Sequence, residues 1–228
     1  MGVLVTVEGL DGAGKRTLST ALTAELASRG LRVGATAFPR YGRSVHADLV
    51  SEALHGKVGD LGDSVHGMAV LFALDRAEAV PELTEMLASN DVVLLDRYAA
   101  SNAAFGAARL HQDARGEFAE WIRQLEFDRL RLPAPTLQVL LRVPVAVATA
   151  RAADRESADA GRARDAFERD AGLQERTGAV YEGLAADGWA GAWHVHEQPD
   201  AADTAAPAGA AVAAVTALAD RVLAGADA

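Results

Sequence analysis

The 228-residue chain contains no cysteine, which excludes disulfides, thiolate metal sites and a cysteine nucleophile. Half of it is hydrophobic, yet no apolar run approaches the ~20 residues that a membrane-spanning helix needs. Positive charge is not in excess either, since the formal net charge is −10. That argues against a nucleic-acid partner held by a basic surface, because neutralising phosphates dominates such affinity. No basic segment or cleavage signal precedes the strand-like run Val3–Val7, so no secretory leader is expected. These absences predict a soluble, cytoplasmic protein with no membrane contact. Lysine is nearly missing as well. Lys15 and Lys57 are the only two, and arginine supplies the rest of the positive charge. The position of Lys15 therefore stands out.

The length predicts one large domain, or one domain with a short appendage. Four short apolar runs read as buried parallel strands: Val3–Val7, Val33–Phe38, Val92–Leu95 and Leu137–Val143. A weaker fifth is Trp193–Val195. Between them, helical periodicity marks Thr17–Ser28, Ser44–Leu54, Ser64–Ala88, Gly116–Leu130 and Val145–Arg155. Strands alternating with helices imply an α/β domain with a parallel sheet covered on both faces. The expected main domain spans residues 1–198, followed by an Ala/Pro/Asp-rich linker at 199–210 and a C-terminal helix within 211–228 that packs back on the domain.

Residues 7–17 read VEGLDGAGKRT. Gly9, Gly14 and Lys15 satisfy the spacing of a phosphate-binding loop, but Arg16 stands where a magnesium-ligating hydroxyl is usual, and Thr17 comes one position late. A ligand-free glycine-rich βα turn has the same spacing. The strand before and the helix after favour the nucleotide reading, in which backbone N–H groups and the helix N-terminus hold the anion.

Four other segments carry chemistry. In VVLLDRYAASNAAF (92–105) an apolar strand ends in Asp96 and Arg97, where open α/β sheets bind ligands, and Ser101-Asn102 follow at a helix start. In AFPRYG (37–42) Pro39 ends a strand, and Arg40 and Tyr41 are expected to project into the crevice beside the loop. In LFALDRA (71–77) Phe72 and Arg76 share a helix face and make a stacking platform with a hydrogen-bonding fork. Residues 151–170 alternate arginine with aspartate and glutamate. Alone this is a solvated, salt-bridged face; beside a phosphate loop it reads as a lid, at about 151–165, whose arginines stabilise a transferring phosphoryl group.

With EGLDGAGKRT, AFPRYG, LFALDRA, LDRYAASNAAF, RARDAFERD and LQERTGAVY in this order over residues 3–190, the chain resembles the bacterial thymidylate kinases, their actinobacterial members in particular. The resemblance implies a P-loop nucleoside-monophosphate kinase fold with a five-stranded parallel sheet, a homodimer, ATP as co-substrate, dTMP as acceptor and Mg²⁺ as cofactor. It implies that Gly9, Gly12, Ala13, Gly14, Lys15, Arg16 and Thr17 bind ATP. Phe72 would stack on thymine, with Arg76 and Asn102 on the base edge. Arg97 and Tyr41 would hold the dTMP phosphate, with Arg40 nearby, Asp96 close to the phosphates, and Phe38, Ser101, Phe105, Asp165 and Phe167 completing the substrate site. Asp11, Lys15, Arg97 and the lid's Arg155 are the implied catalytic residues. The metal would sit against the acceptor phosphate near Asp11 and Glu168, with Asp165 in its outer shell.

Two departures stand out. Where related sequences carry SNAAY and RDNYERD, this chain has Phe105 and Ala166-Phe167, and both changes remove a tyrosine hydroxyl from the nucleoside side. The rival readings are another nucleoside-monophosphate kinase, a deoxynucleoside kinase, and a catalytically silent ATP-binding module. A GTPase is not expected, because no N-K-x-D guanine-reading motif occurs.

Overall fold

The computed structural model describes residues 2–158, 171–197, 217 and 219–224, with backbone alone at 153–158 and 171. Five strands form one parallel sheet in the order β2-β3-β1-β4-β5: β1 (Val3–Glu8), β2 (Val33–Ala37), β3 (Val92–Asp96), β4 (Leu137–Arg142) and β5 (Ala192–Glu197). β1 is central and all six of its residues are buried. This is why it reads as a continuous apolar run rather than an alternation. The edge strands β2 and β5 are only partly buried.

Eight helices are labelled here: α1 (Lys15–Ser28), α2 (Val45–Leu54), α3 (Val65–Glu78), α4 (Val80–Ser89), α5 (Ala99–Arg109), α6 (Glu117–Arg123), α7 (Val145–Ala158) and α8 (Ala171–Ala186). On α1, Leu18, Leu22 and Leu26 recur every fourth residue and bury one face against the sheet. Leu83 and Leu87 of α4 cover Leu4, Val93 and Leu95 in a second cluster. Among the described residues no helix is long and apolar enough to cross a membrane.

Two expected helices differ from the observed ones. Ser64–Ala88 is broken at Ala79, because Pro81 in the first turn of α4 has no N–H to continue the preceding helix. Gly116–Leu130 divides into α6 and a π-helical stretch, Gln124–Arg129. The expected linker at 199–210 lies outside the described residues. Residues 219–224 are helical, place Ala219 and Val222 in the main core and pair Asp220 with Arg29 at 2.5 Å.

The chain runs from β1 to one side of the sheet and later to the other. Strand order therefore reverses around the carboxyl ends of β1, β3 and β4, which is where a crevice opens in such sheets.

Candidate active site

The loop between β1 and α1 forms one wall of that crevice. Gly12 has φ +82°, and a Cβ there would lie 1.9 Å from the carbonyl oxygen of Ala148 on α7. At Gly9, φ is +142° and a Cβ would come within 2.7 Å of Leu141 O. Glycine is required at both for conformation and for space. The first α-helical bond of α1 is Leu18 N–H to Gly14 O at 3.0 Å. The N–H groups of Lys15, Arg16 and Thr17 thus precede the helical ladder and remain for an anion. The Arg16 and Thr17 side chains are exposed, whereas Lys15 is buried.

The Lys15 ammonium donates to Gly9 O at 3.1 Å and Leu10 O at 2.8 Å. Burial and then the neighbouring Arg97 charge push its pKa down to about 8, against the opposing pull of Asp11, Asp96 and Glu8. From α7, Arg151, the first residue of the segment expected to form a lid, donates to Ala13 O of the loop at 3.4 Å. Arg155 lies one helical turn further along α7; its side chain is outside the described residues.

A second pocket opens beside the loop. Asp11, Phe38, Tyr41, Phe72, Arg76, Arg97, Ser101, Asn102 and Phe105 all line it. At one end stands Arg97, held at φ +67° just after β3. Its guanidinium pairs with Asp11 and donates to Gly9 O at 3.2 Å, Ser101 Oγ at 3.1 Å and the Tyr181 hydroxyl at 3.4 Å. It also lies 5.3 Å from the centroid of the Phe105 ring. Burial works against ionisation of Asp11, but Arg97 and Lys15 outweigh it and hold the carboxyl below its ordinary range.

Beneath Arg97 lies a carboxylate that the sequence reading did not single out. Glu8, fully buried at the end of β1, accepts from Tyr98 N–H at 2.8 Å, Ser101 Oγ at 2.6 Å and the Tyr181 hydroxyl at 3.3 Å. Burial raises its pKa, and Ser101, Arg97, Lys15 and Tyr98 oppose the shift. A glutamate closing an otherwise apolar strand was the available signal. Tyr181 of α8 had none beyond its place in LQERTGAVY.

At the other end of the pocket, Arg76 and Asn102 are both buried and both bonded to Glu126, whose carboxylate is fully buried. Phe72 lines the same end. Glu126 was also unforeseen: the sequence marked its surroundings only as part of the helical periodicity over Gly116–Leu130.

Arg40 does not project into the crevice as expected. Its guanidinium is buried against Asp75, with Nε 2.8 Å from Oδ1 and Nη2 2.9 Å from the Asp75 backbone oxygen; Glu78 and Glu82 lie within 3.6 Å. A buried carboxylate and two flanking ones outcompete the open pocket for this cation. Arg40 therefore anchors the 38–42 turn, while Tyr41 beside it lines the pocket and is half exposed. The Phe38–Pro39 peptide in this turn is cis. Asp96 ends β3 as expected, and its charge acts on both Lys15 and Arg97. Asp165, Phe167 and Glu168 lie outside the described residues.

Among the described residues no three histidine, aspartate or glutamate side chains cluster as a preformed metal cage. What the crevice offers instead is the ionised Asp11, with Asp96 nearby. That donor set fits Mg²⁺, which takes one or two carboxylates and completes its shell with phosphate oxygens and water.

Comparison with known proteins agrees with this geometry. The family model described as "Thymidylate kinase" matches residues 7–196. The chain is similar to a thymidylate kinase of Mycobacterium tuberculosis, at 55% identity over 193 residues, which is 85% of this chain and 90% of that protein. A thymidylate kinase of Xanthomonas oryzae is 35% identical over 80% of this chain and 72% of its own length. The human thymidylate kinase is 33% identical over 67% and 66%.

Proposed function

The chain belongs to the thymidylate kinase family, and from that premise we infer that it transfers the γ-phosphoryl group of ATP to dTMP, giving dTDP and ADP. Its α/β architecture is that of the P-loop nucleoside-monophosphate kinases. The observation that carries the reading is a second pocket built at both ends: a cation, Arg97, beside the phosphate loop, and an aromatic ring with a polar fork, Phe72 with Arg76 and Asn102, at the far end.

The acceptor oxygen on dTMP is already anionic, so no residue has to remove a proton. Catalysis then consists of alignment and charge stabilisation. The loop N–H groups and Lys15 hold the β- and γ-phosphates of ATP. Arg97 and Tyr41 hold the acceptor phosphate in line with them. Asp11, kept ionised by Arg97, fixes the guanidinium from the loop side. Arg155 of the lid is assigned to the transferred group, where an arginine stabilises the spreading charge. Mg²⁺, held by Asp11 with Glu168 and with Asp165 in its outer shell, would neutralise phosphate charge when bound. We assign Arg16 to ATP through its backbone N–H, which leaves the metal to these carboxylates rather than to a hydroxyl after Lys15.

A deoxynucleoside kinase needs a base for a hydroxyl proton and has no use for a cation at the acceptor end, so that rival is disfavoured. A homodimer is part of the proposal, supported by the family resemblance and by the exposed valines, Val45 and Val70, on the packed pair α2 and α3.

The test is ADP release in the presence of ATP and Mg²⁺, with dTMP, dUMP, UMP, AMP and thymidine as acceptors. Preferential turnover of dTMP is expected. Turnover of thymidine alone would replace the reading with a nucleoside kinase, and ATP binding without any turnover would leave a silent nucleotide-binding module.

A further inference from the structure

We propose that Glu126 determines which pyrimidine the acceptor site accepts, by locking Asn102 and Arg76 into a pattern of one hydrogen-bond acceptor beside one donor. The inference deepens the thymidylate kinase reading and rests on it.

The lock follows from hydrogen-bond chemistry. Arg76 donates to both Glu126 oxygens, from Nε at 2.6 Å and Nη2 at 2.7 Å. The Asn102 amide nitrogen donates to Glu126 Oε1 at 2.8 Å and to the backbone oxygen of Ala69 at 2.9 Å. An ionised carboxylate and a carbonyl only accept. Turning the Asn102 amide over would set its oxygen against both of them, so Nδ2 faces inward and Oδ1 is left for the pocket. Among the described residues, neither Asn102 Oδ1 nor Arg76 Nη1 has a hydrogen-bond partner, and both residues line the cavity. Glu126 sits in the π-helical stretch after α6, the kind of local irregularity that recurs at functional sites.

A uracil-type base presents N3–H beside the C4 carbonyl. N3–H matches Asn102 Oδ1, and the carbonyl matches an Arg76 N–H. Cytosine presents the reverse, a bare N3 and an amino group, so both contacts fail and buried polar groups are left unpaired. Thymine and uracil share this edge. Glu126 therefore separates both of them from cytosine and does not separate one from the other.

The experiment compares kcat/KM for dTMP, dUMP and dCMP in the wild type and in Glu126→Gln. A glutamine can donate to Asn102 Oδ1 and release the amide. The expected result is a fall of about tenfold or more in the dTMP:dCMP and dUMP:dCMP ratios, mainly through KM, with dTMP:dUMP unchanged. An equal loss on all three acceptors would show a merely structural role and overturn the proposal. Should the variant not fold, the wild type supplies the test through the Asn102 side-chain amide resonances, assigned by their disappearance in Asn102→Asp. Both Nδ2 protons should exchange slowly and stay so when dTMP binds. A freely exchanging proton, or one that changes partner on binding, would overturn the lock. Failure of the wild type to use dTMP would instead remove the functional reading, and the amide measurement would still decide the orientation.

Discussion

Arg97, just past the end of β3, forms an ion pair with Asp11 of the loop after β1, so the residue that follows this strand beside the second pocket and a residue of the glycine-rich loop share one contact. The same guanidinium reaches Gly9 O and Ser101 Oγ through its other terminal nitrogen. One planar fork thus ties the second pocket to the phosphate-loop backbone. In the proposed mechanism an incoming acceptor phosphate would meet a cation that is already oriented.

Replacement of Arg97 by lysine should not be tolerated, because a single ammonium cannot span these partners. We expect kcat/KM for dTMP to fall on the order of 10²–10³-fold in Arg97→Lys, with KM for dTMP raised. Coupled ADP release measures it. Activity within twofold of wild type would mean that the acceptor phosphate is held elsewhere.

Gly12→Ala combines positive φ with a collision, since its Cβ would sit 1.9 Å from Ala148 O. Gly30→Ala imposes a similar φ, +85°, with nothing within 4 Å. The φ strain alone costs roughly 1–3 kcal/mol. Thermal unfolding should show the Gly12 variant with the lower Tm of the two, and ATP binding should weaken only in it. Equal Tm values would mean that α7 yields without cost and does not hold the loop.

Much of this was legible beforehand, and the reasons are local. Short apolar runs announce β1, β3 and β4 because the sheet buries both of their faces; the partly buried edge strands β2 and β5 were also found, and all five have ends shifted by no more than two residues. α5 was legible only at its start. Nine of its eleven residues are buried, so it lacks the apolar/polar contrast that marks an amphipathic helix. Residues such as Phe72, Asn102 and Arg97 stood out because strand ends and helix faces place them. Their supports did not. Glu126 meets Asn102 across 24 positions, Tyr181 meets Ser101 across 80, and Asp75 draws Arg40 away across 35. Such pairings are decided by tertiary packing, and nothing in the flanking residues records them.

Glu8 should be essential for stability as well as for the site. Its carboxylate accepts from three buried donors, Tyr98 N–H, Ser101 Oγ and the Tyr181 hydroxyl. Glu8→Gln turns an N–H toward one of them, and an unmet buried group costs about 1–3 kcal/mol. Urea unfolding should report a loss of about 2 kcal/mol or more, and KM for dTMP should rise because Ser101 also positions Arg97. An unchanged midpoint would show that the carboxylate carries no net role.

Lys15 should make ATP binding pH-dependent. In the nucleotide-free protein its pKa is lowered from 10.5 to about 8. Folding therefore releases this proton between those two values, and the destabilising effect of the buried ammonium, full below pH 8, fades as pH rises toward 10.5. Phosphate reverses the bias, because the triphosphate favours the charged amine. Above about pH 8 binding must recharge the lysine, so ATP affinity should weaken by up to roughly tenfold per pH unit until the pKa of the bound state is reached. Calorimetry in two buffers of different ionisation enthalpy should show little proton uptake at this site at neutral pH and nearly one proton well above the free-state pKa. Lys15→Met should bind ATP weakly and lose that proton uptake. An affinity flat across this range in the wild type would place the lysine's charge outside the nucleotide's reach.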